Sequence, residues 1–137
     1  MNIKMPTQIE PKKVNRFIVD FPEKFEIEPW TVQKIDKPNF TENKWENIRV
    51  DFIDPIGPSA SKGLYKIIKF LEENKNSNNK MFDIFIKSLD PTGVVVEEWV
   101  VSVQDVLTIN FGKLDYGNDD IQKPFLILQP LNCFLNY

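Results

Sequence analysis

Hydrophobic positions along this chain recur mostly at every second residue, a spacing that predicts a mainly β protein. The clearest run is 45–53, where Ile48, Val50 and Phe52 alternate with Asn47, Arg49 and Asp51. Such alternation marks a strand buried on one face only. Residues 81–89 repeat it, with Phe82, Ile84 and Ile86 on one face and Asp83, Phe85 and Lys87 on the other. Asp90-Pro91-Thr92-Gly93 follows. Pro91 presets its own φ and Gly93 tolerates a positive one, so a hairpin is expected there. The returning strand, 94–103, carries Val95, Trp99, Val101 and Val103 on one parity, which Glu97 interrupts. Further strands are expected at 16–21, 106–111 and 125–135. The stretch 25–35 reads as a strand bulged or placed at an edge by Pro29.

A single window has the helical period. Leu64, Ile67, Ile68 and Leu71 form one apolar stripe, predicting a helix over 60–73 that packs on the sheet. The breaker cluster from Asp54 to Ser61 leads into it, and Ser59 or Ser61 is placed to cap its first turn. Gly63 there is mildly unfavourable. Residues 36–44, 74–80 and 112–123 read as polar connections. Residues 1–14 hold Pro6, Pro11 and the pair Lys12-Lys13, and are expected to be an arm, poorly ordered in an isolated subunit. Residues 15–137 then make one domain, mainly β with a single helix.

Composition narrows the chemistry. The 137 residues are 42% hydrophobic and 27% charged, a globular balance, and Phe is frequent at 11 copies, favouring sheets and large buried areas. Net charge is −3, against a protein that grips nucleic acid by charge but not against one that lets it pass. The chain has no His. That removes the commonest general base, the commonest zinc ligand and every Ser-His or Cys-His pair. Cys133 is the one cysteine, so no disulfide closes within the chain, and a small buried hydrophobe is its expected role. Asp115, Asp119 and Asp120 share a loop but lack the spacing and closing Glu of a calcium loop. Glu97 and Glu98 are adjacent on a strand and so point to opposite faces, poor geometry for acid–base work. Lys34, Lys37, Lys44 and Arg49 lie near Phe40 and Trp45, but Asp36, Glu42, Glu46 and Asp51 cancel their charge. No catalytic, metal or cofactor site is expected. No window approaches the roughly 18 apolar residues of a membrane span, and the N-terminus has no apolar stretch of signal-peptide type.

The order of elements is strand, bulged strand, strand, helix, hairpin, strand, long connection, strand. With Asn15-Arg16-Phe17-Ile18-Val19, the 45–52 strand, Asp90-Pro91-Thr92-Gly93 with Trp99 beyond it, and Ile109-Asn110-Phe111-Gly112-Lys113-Leu114-Asp115-Tyr116, that order resembles the tail-tube proteins of contractile-tailed bacteriophages. Type VI secretion tubes are related to these. The resemblance spans about 15–135, departing at the Lys-Asn-rich helix exit 74–80 and in a rather short chain.

The resemblance implies a β-barrel or sandwich of two packed antiparallel sheets with one flanking helix, in a non-enzymatic virion protein whose subunits form six-fold rings. The rings stack into a hollow tube inside a contractile sheath, the conduit for DNA ejection. Its partners would be copies of itself, with sheath and baseplate proteins, and DNA passing without specific binding. It would be assembled in the host cytoplasm, with no membrane partner. Such a tube needs one heterologous contact that closes and another that does not. Trp45, Asp54, Pro55, Ile56, Gly57, Pro58, Ser59, Lys12 and Lys13 are the expected subunit-interface residues. Asn47, Arg49, Asp51, Asp83 and Lys87 are the expected lumen-facing ones. A baseplate tube-initiator or tail-completion protein of the same fold, and a β-barrel ligand-binding module, stay open as alternatives.

Overall fold

The computed structural model describes residues 10–57, 59–76 and 81–136. The expectations for residues 1–9, for Pro58 and for most of the helix exit fall outside them. The strands are β1 (Phe17–Asp20), β2 (Val32–Ile35), β3 (Phe40–Thr41), β4 (Lys44–Trp45), β5 (Ile48–Phe52), β6 (Phe82–Leu89), β7 (Val95–Asn110) and β8 (Phe125–Leu135). Among the described residues one α-helix, α1 (Ala60–Glu73), lies between β5 and β6. Six strands form one antiparallel sheet in the order β1-β6-β7-β8-β5-β2, which curls nearly closed like a barrel. β3 and β4 make a second, two-stranded sheet.

Alternation fills the interior as expected. Val19, Ile48, Val50, Phe52, Ile84, Ile86, Val101, Val103, Leu126 and Leu128 point inward and are buried. Helix α1 covers the end of the barrel where β6 begins. Phe70 and Phe82 meet Phe25 edge-on, at ring-centroid distances of 5.6 and 5.2 Å. Gly63 allows the close approach: a Cβ there would lie 2.4 Å from Ile27 Cγ1 and 3.0 Å from the Phe25 carbonyl oxygen.

Several local expectations are corrected. Helix α1 is capped neither by Ser59 nor by Ser61. Asp54 reaches in, accepting from Ala60 N at 2.9 Å, Ser61 N at 3.4 Å, Ser59 Oγ at 3.1 Å and Ser61 Oγ. Residues 25–31 are not strand. Two short 3-10 turns, Glu23–Phe25 and Pro29–Thr31, precede β2, because Pro22 and Pro29 each fix φ at a turn start. The 45–53 run is divided. Its first residue belongs to the β3–β4 hairpin, whose connecting pair, Glu42 and Asn43, has φ of 54° and 65°. That is the left-handed pair a two-residue hairpin demands.

The two strands expected at 94–103 and 106–111 are one, β7. Its ladder with β8 skips Gln104, Leu107 and, on β8, Leu131. These bulges bend both strands and reset the parity, so that Val106 and Ile109 again pack on the core. Pro130 sits within this bulged region, where a missing N–H is tolerated.

Candidate assembly surfaces

With the core on the inner face, the polar members of each strand are left on the outer one. The register aligns Asp20, Phe85, Val100 and Phe134 in one row across β1, β6, β7 and β8, and Ile18, Lys87 and Glu98 in the next. Lys87 Nζ lies 2.7 Å from Asp20 Oδ2. On β5, Arg49 Nε donates to Asp51 Oδ1 at 3.0 Å, and its guanidinium stacks 3.9 Å from the Phe125 ring centroid. The cations Lys87 and Arg49 are thus tied to carboxylates, while Asp83 and Glu98 add further negative charge. The residues expected to face a lumen, Asn47, Arg49, Asp51, Asp83 and Lys87, therefore all lie on the outward side. They fall in two groups separated by β7 and β8.

The expected interface residues are dispersed. Trp45 is half-buried at the barrel end opposite α1. Its ring meets Trp99 edge-on at 6.1 Å and Phe40 at 4.9 Å, and its Nε1 donates to Asn132 Oδ1 at 3.2 Å. In the 54–59 loop, Asp54 and Ser59 turn inward on the helix cap. Burial pushes the Asp54 carboxyl up, but the hydrogen bonds from Ser61, Ser59 and Ala60 outweigh it and hold it below its ordinary value. Ile56 is fully exposed and Gly57 has open space beside it. Pro55 lies between Asp54 and Ile56, and Pro58 falls outside the described residues. Lys13 is exposed, and its carbonyl accepts from Arg16 N at 3.3 Å. Lys12 is drawn to Glu97.

Two further surfaces carry apolar groups in water. Beyond the tip of the β7–β8 ribbon, Leu114 is 87% exposed and Tyr116 wholly so, with Phe111 and Ile121 nearby. A groove of about 570 Å³ runs beneath this loop, past Arg49, Lys113, Asp120 and Phe125. Asp115 Oδ1 there accepts from Gly117 N at 2.9 Å, and Asp120 Oδ1 from Ile121 N at 2.8 Å, the bonds of local turns. The other surface is the seam of the sheet, where β1 and β2 leave their outer edges unpaired among the described residues. A groove of about 620 Å³ follows it, lined by Val14, Phe17, Ile18, Pro29, Trp30 and Val32. Unpaired edges are templates for another chain. Period-two reasoning located the strands but not the seam, because edge status depends on the order of strands.

Solved structures share this fold along nearly the whole chain. A chain of the sheath–tube complex of the extracellular contractile injection system PVC, in its extended state, superposes with a TM-score of 0.67 at 17% identity, covering 97% of this chain and 99% of that one. A chain in the tube-terminating cap of the anti-feeding prophage gives 0.68 at 16% identity, covering 99% and 95%. One in the PVC sheath/tube terminator gives 0.63 at 14%, covering 93% and 97%. No protein-family model matches the sequence, and no curated protein matches it.

Proposed function

We propose that this chain is a structural, non-enzymatic subunit of a contractile tail or injection particle, and that its copies build six-membered rings stacked into a hollow tube. The observation that carries the reading is the two-way coverage. The match to the chain of the PVC sheath–tube complex leaves almost nothing unpaired on either side. An inserted catalytic lobe or missing layer would break such a match. In this reading the outward sheet face with Asp83, Lys87, Asn47, Arg49 and Asp51 contributes to the lumen, and its paired cations let DNA pass without sticking. Ile56, the 54–59 loop and the Lys12-Lys13 segment meet neighbouring subunits, with sheath and baseplate proteins as further partners. Trp45 acts indirectly, by holding the β3–β4 hairpin on the barrel end. The particle is a virion, built in the host cytoplasm, and the tube serves genome ejection.

A second reading is favoured by a specific observation: the anti-feeding prophage cap chain superposes as well as the sheath–tube one. Under it, the chain closes the end of a tube and forms a ring that does not propagate. Negative-stain electron microscopy of the purified protein separates the two. Tubes of variable length support the tube subunit, and single rings of fixed size support the terminator. A monodisperse monomer at high concentration, in the presence of sheath protein, would overturn both.

A further inference from the structure

Glu97 is a carboxylate on the inward parity of β7, and its side chain is 13% exposed. Three groups meet it. Lys12 Nζ lies 3.4 Å from Oε1, Lys37 Nζ contacts Oε2, and Ser88 Oγ donates to Oε2 at 3.3 Å. Ser88 is its partner across the β6–β7 ladder. The lysines come from segments that no ladder holds at this point: residues 10–14 ahead of β1, and the link 36–39 between β2 and β3. A charge at the mouth of an apolar barrel costs desolvation and is retained only when compensated. Here the compensation joins two connecting segments to one strand.

We propose that Glu97 is a charge-operated clasp: ionised, it holds the 10–14 segment and the β2–β3 link to the barrel end, and neutralised, it lets the segment go while the barrel stays folded. The fold survives because the clasp is peripheral to the ladders. Arg16 O still accepts from Leu89 N at 3.0 Å and anchors the start of β1. Among the described residues the charged groups facing Glu97 are the ammonium groups of Lys12 and Lys37, and Glu97 is the one carboxylate of the three. Glu97 is thus the member whose charge can change. Burial pushes its carboxyl up, and Lys37 and Lys12 together bring it below the ordinary value, so the clasp is closed at neutral pH. A neighbouring subunit presenting a competing charge would open it by the same electrostatics. The significance for assembly rests on the proposed function, in which the Lys12-Lys13 segment meets another subunit.

The clasp can be tested without assembly. Trypsin cuts after Lys12 and Lys13 in the full chain, and mass spectrometry locates the cuts. Glu97→Gln should speed cleavage after these lysines about tenfold, with the thermal midpoint little changed. Lys12→Met should speed cleavage after Lys13 likewise. Should Glu97→Gln destabilise the whole barrel, Lys12→Met decides, because the Lys12 side chain is half-exposed and lies outside the core. Wild-type cleavage rates in Lys12→Met, or in a folded Glu97→Gln, would overturn the clasp. Electron microscopy of the same variants reads the other link. Faster cleavage with unaltered polymerisation upholds the clasp and overturns the segment's part in assembly.

Discussion

Gly63 and Ile27 touch so closely that the helix can dock only because position 63 has no side chain. A Cβ added there would sit 2.4 Å from Ile27 Cγ1. Gly63→Ala improves intrinsic helix propensity by about 1 kcal/mol. Overpacking opposes it by roughly 1–3 kcal/mol. The expected net result is destabilisation, read from the urea midpoint. A midpoint raised above wild type would show that Ile27 repacks freely.

Asp54 closes the N-terminus of α1 from outside the helix. Asp54→Ala should cost about 1–2 kcal/mol, the range of a lost cap. Its folded carboxyl lies below the ordinary value. The stability it contributes is therefore present above the unfolded value and fades as pH falls through the folded one. The gap between wild type and Asp54→Ala should narrow in acid, as measured by denaturation at neutral and acid pH. A gap unchanged across that range would refute the role of the charged cap.

Glu42 occupies the left-handed region at φ 54°. Glu42→Gly removes that strain, worth about 1–2 kcal/mol, and gives back part of it as chain entropy. The protein should gain roughly 0.5–1 kcal/mol by calorimetry. Destabilisation would mean that the Glu42 side chain makes a contact outweighing its backbone cost.

The proposed assembly should depend on surface groups that folding does not need. Deleting residues 1–13 should leave the circular-dichroism spectrum in place and impair stacking. Leu114→Ser with Tyr116→Ser should shift stability by less than about 0.5 kcal/mol and lower polymer yield in sedimentation. Undiminished polymer in both variants would remove these segments from the interface.

If the outward face lines a tube as proposed, it should be indifferent to DNA. Wild-type assemblies should not retain duplex DNA at physiological salt. Asp83→Lys with Glu98→Lys should gain a salt-dependent retention. Tight binding by wild type, or none gained by the variant, would place this face away from the lumen.

Much of the architecture could be read from spacing alone. The helix expected over 60–73 is Ala60–Glu73, because its apolar stripe has no competing period. The sets Asn47, Arg49, Asp51 and Asp83, Phe85, Lys87 are outward, as alternation requires. What escaped was non-local. Local capping rules favour Ser59, yet Asp54 wins from six residues before Ala60 by accepting several donors at once. The strongest two-residue hairpin signal is Asn-Gly or Asp-Gly, and Glu42-Asn43 is neither, so the β3–β4 hairpin was concealed. Bulges at Gln104 and Leu107 broke the parity of β7 and made one strand look like two. Glu97 read as an interruption because its lysines lie 85 and 60 residues away in sequence. Which surfaces meet another subunit is a property of two molecules, and periodicity within one does not encode it.

The bent β7–β8 ribbon also has a mechanical meaning. The chain runs unbroken through β7 for 16 residues, roughly 50 Å, borrowed in turn by both halves of the sheet. A pull along that direction loads the ladder bonds in shear, so many must fail together. A pull across the ribbon at its loop end peels them one after another. Load along the ribbon is therefore expected to meet more resistance than load across the tip that carries Leu114 and Tyr116, as a beam resists more along its length than at a soft foot.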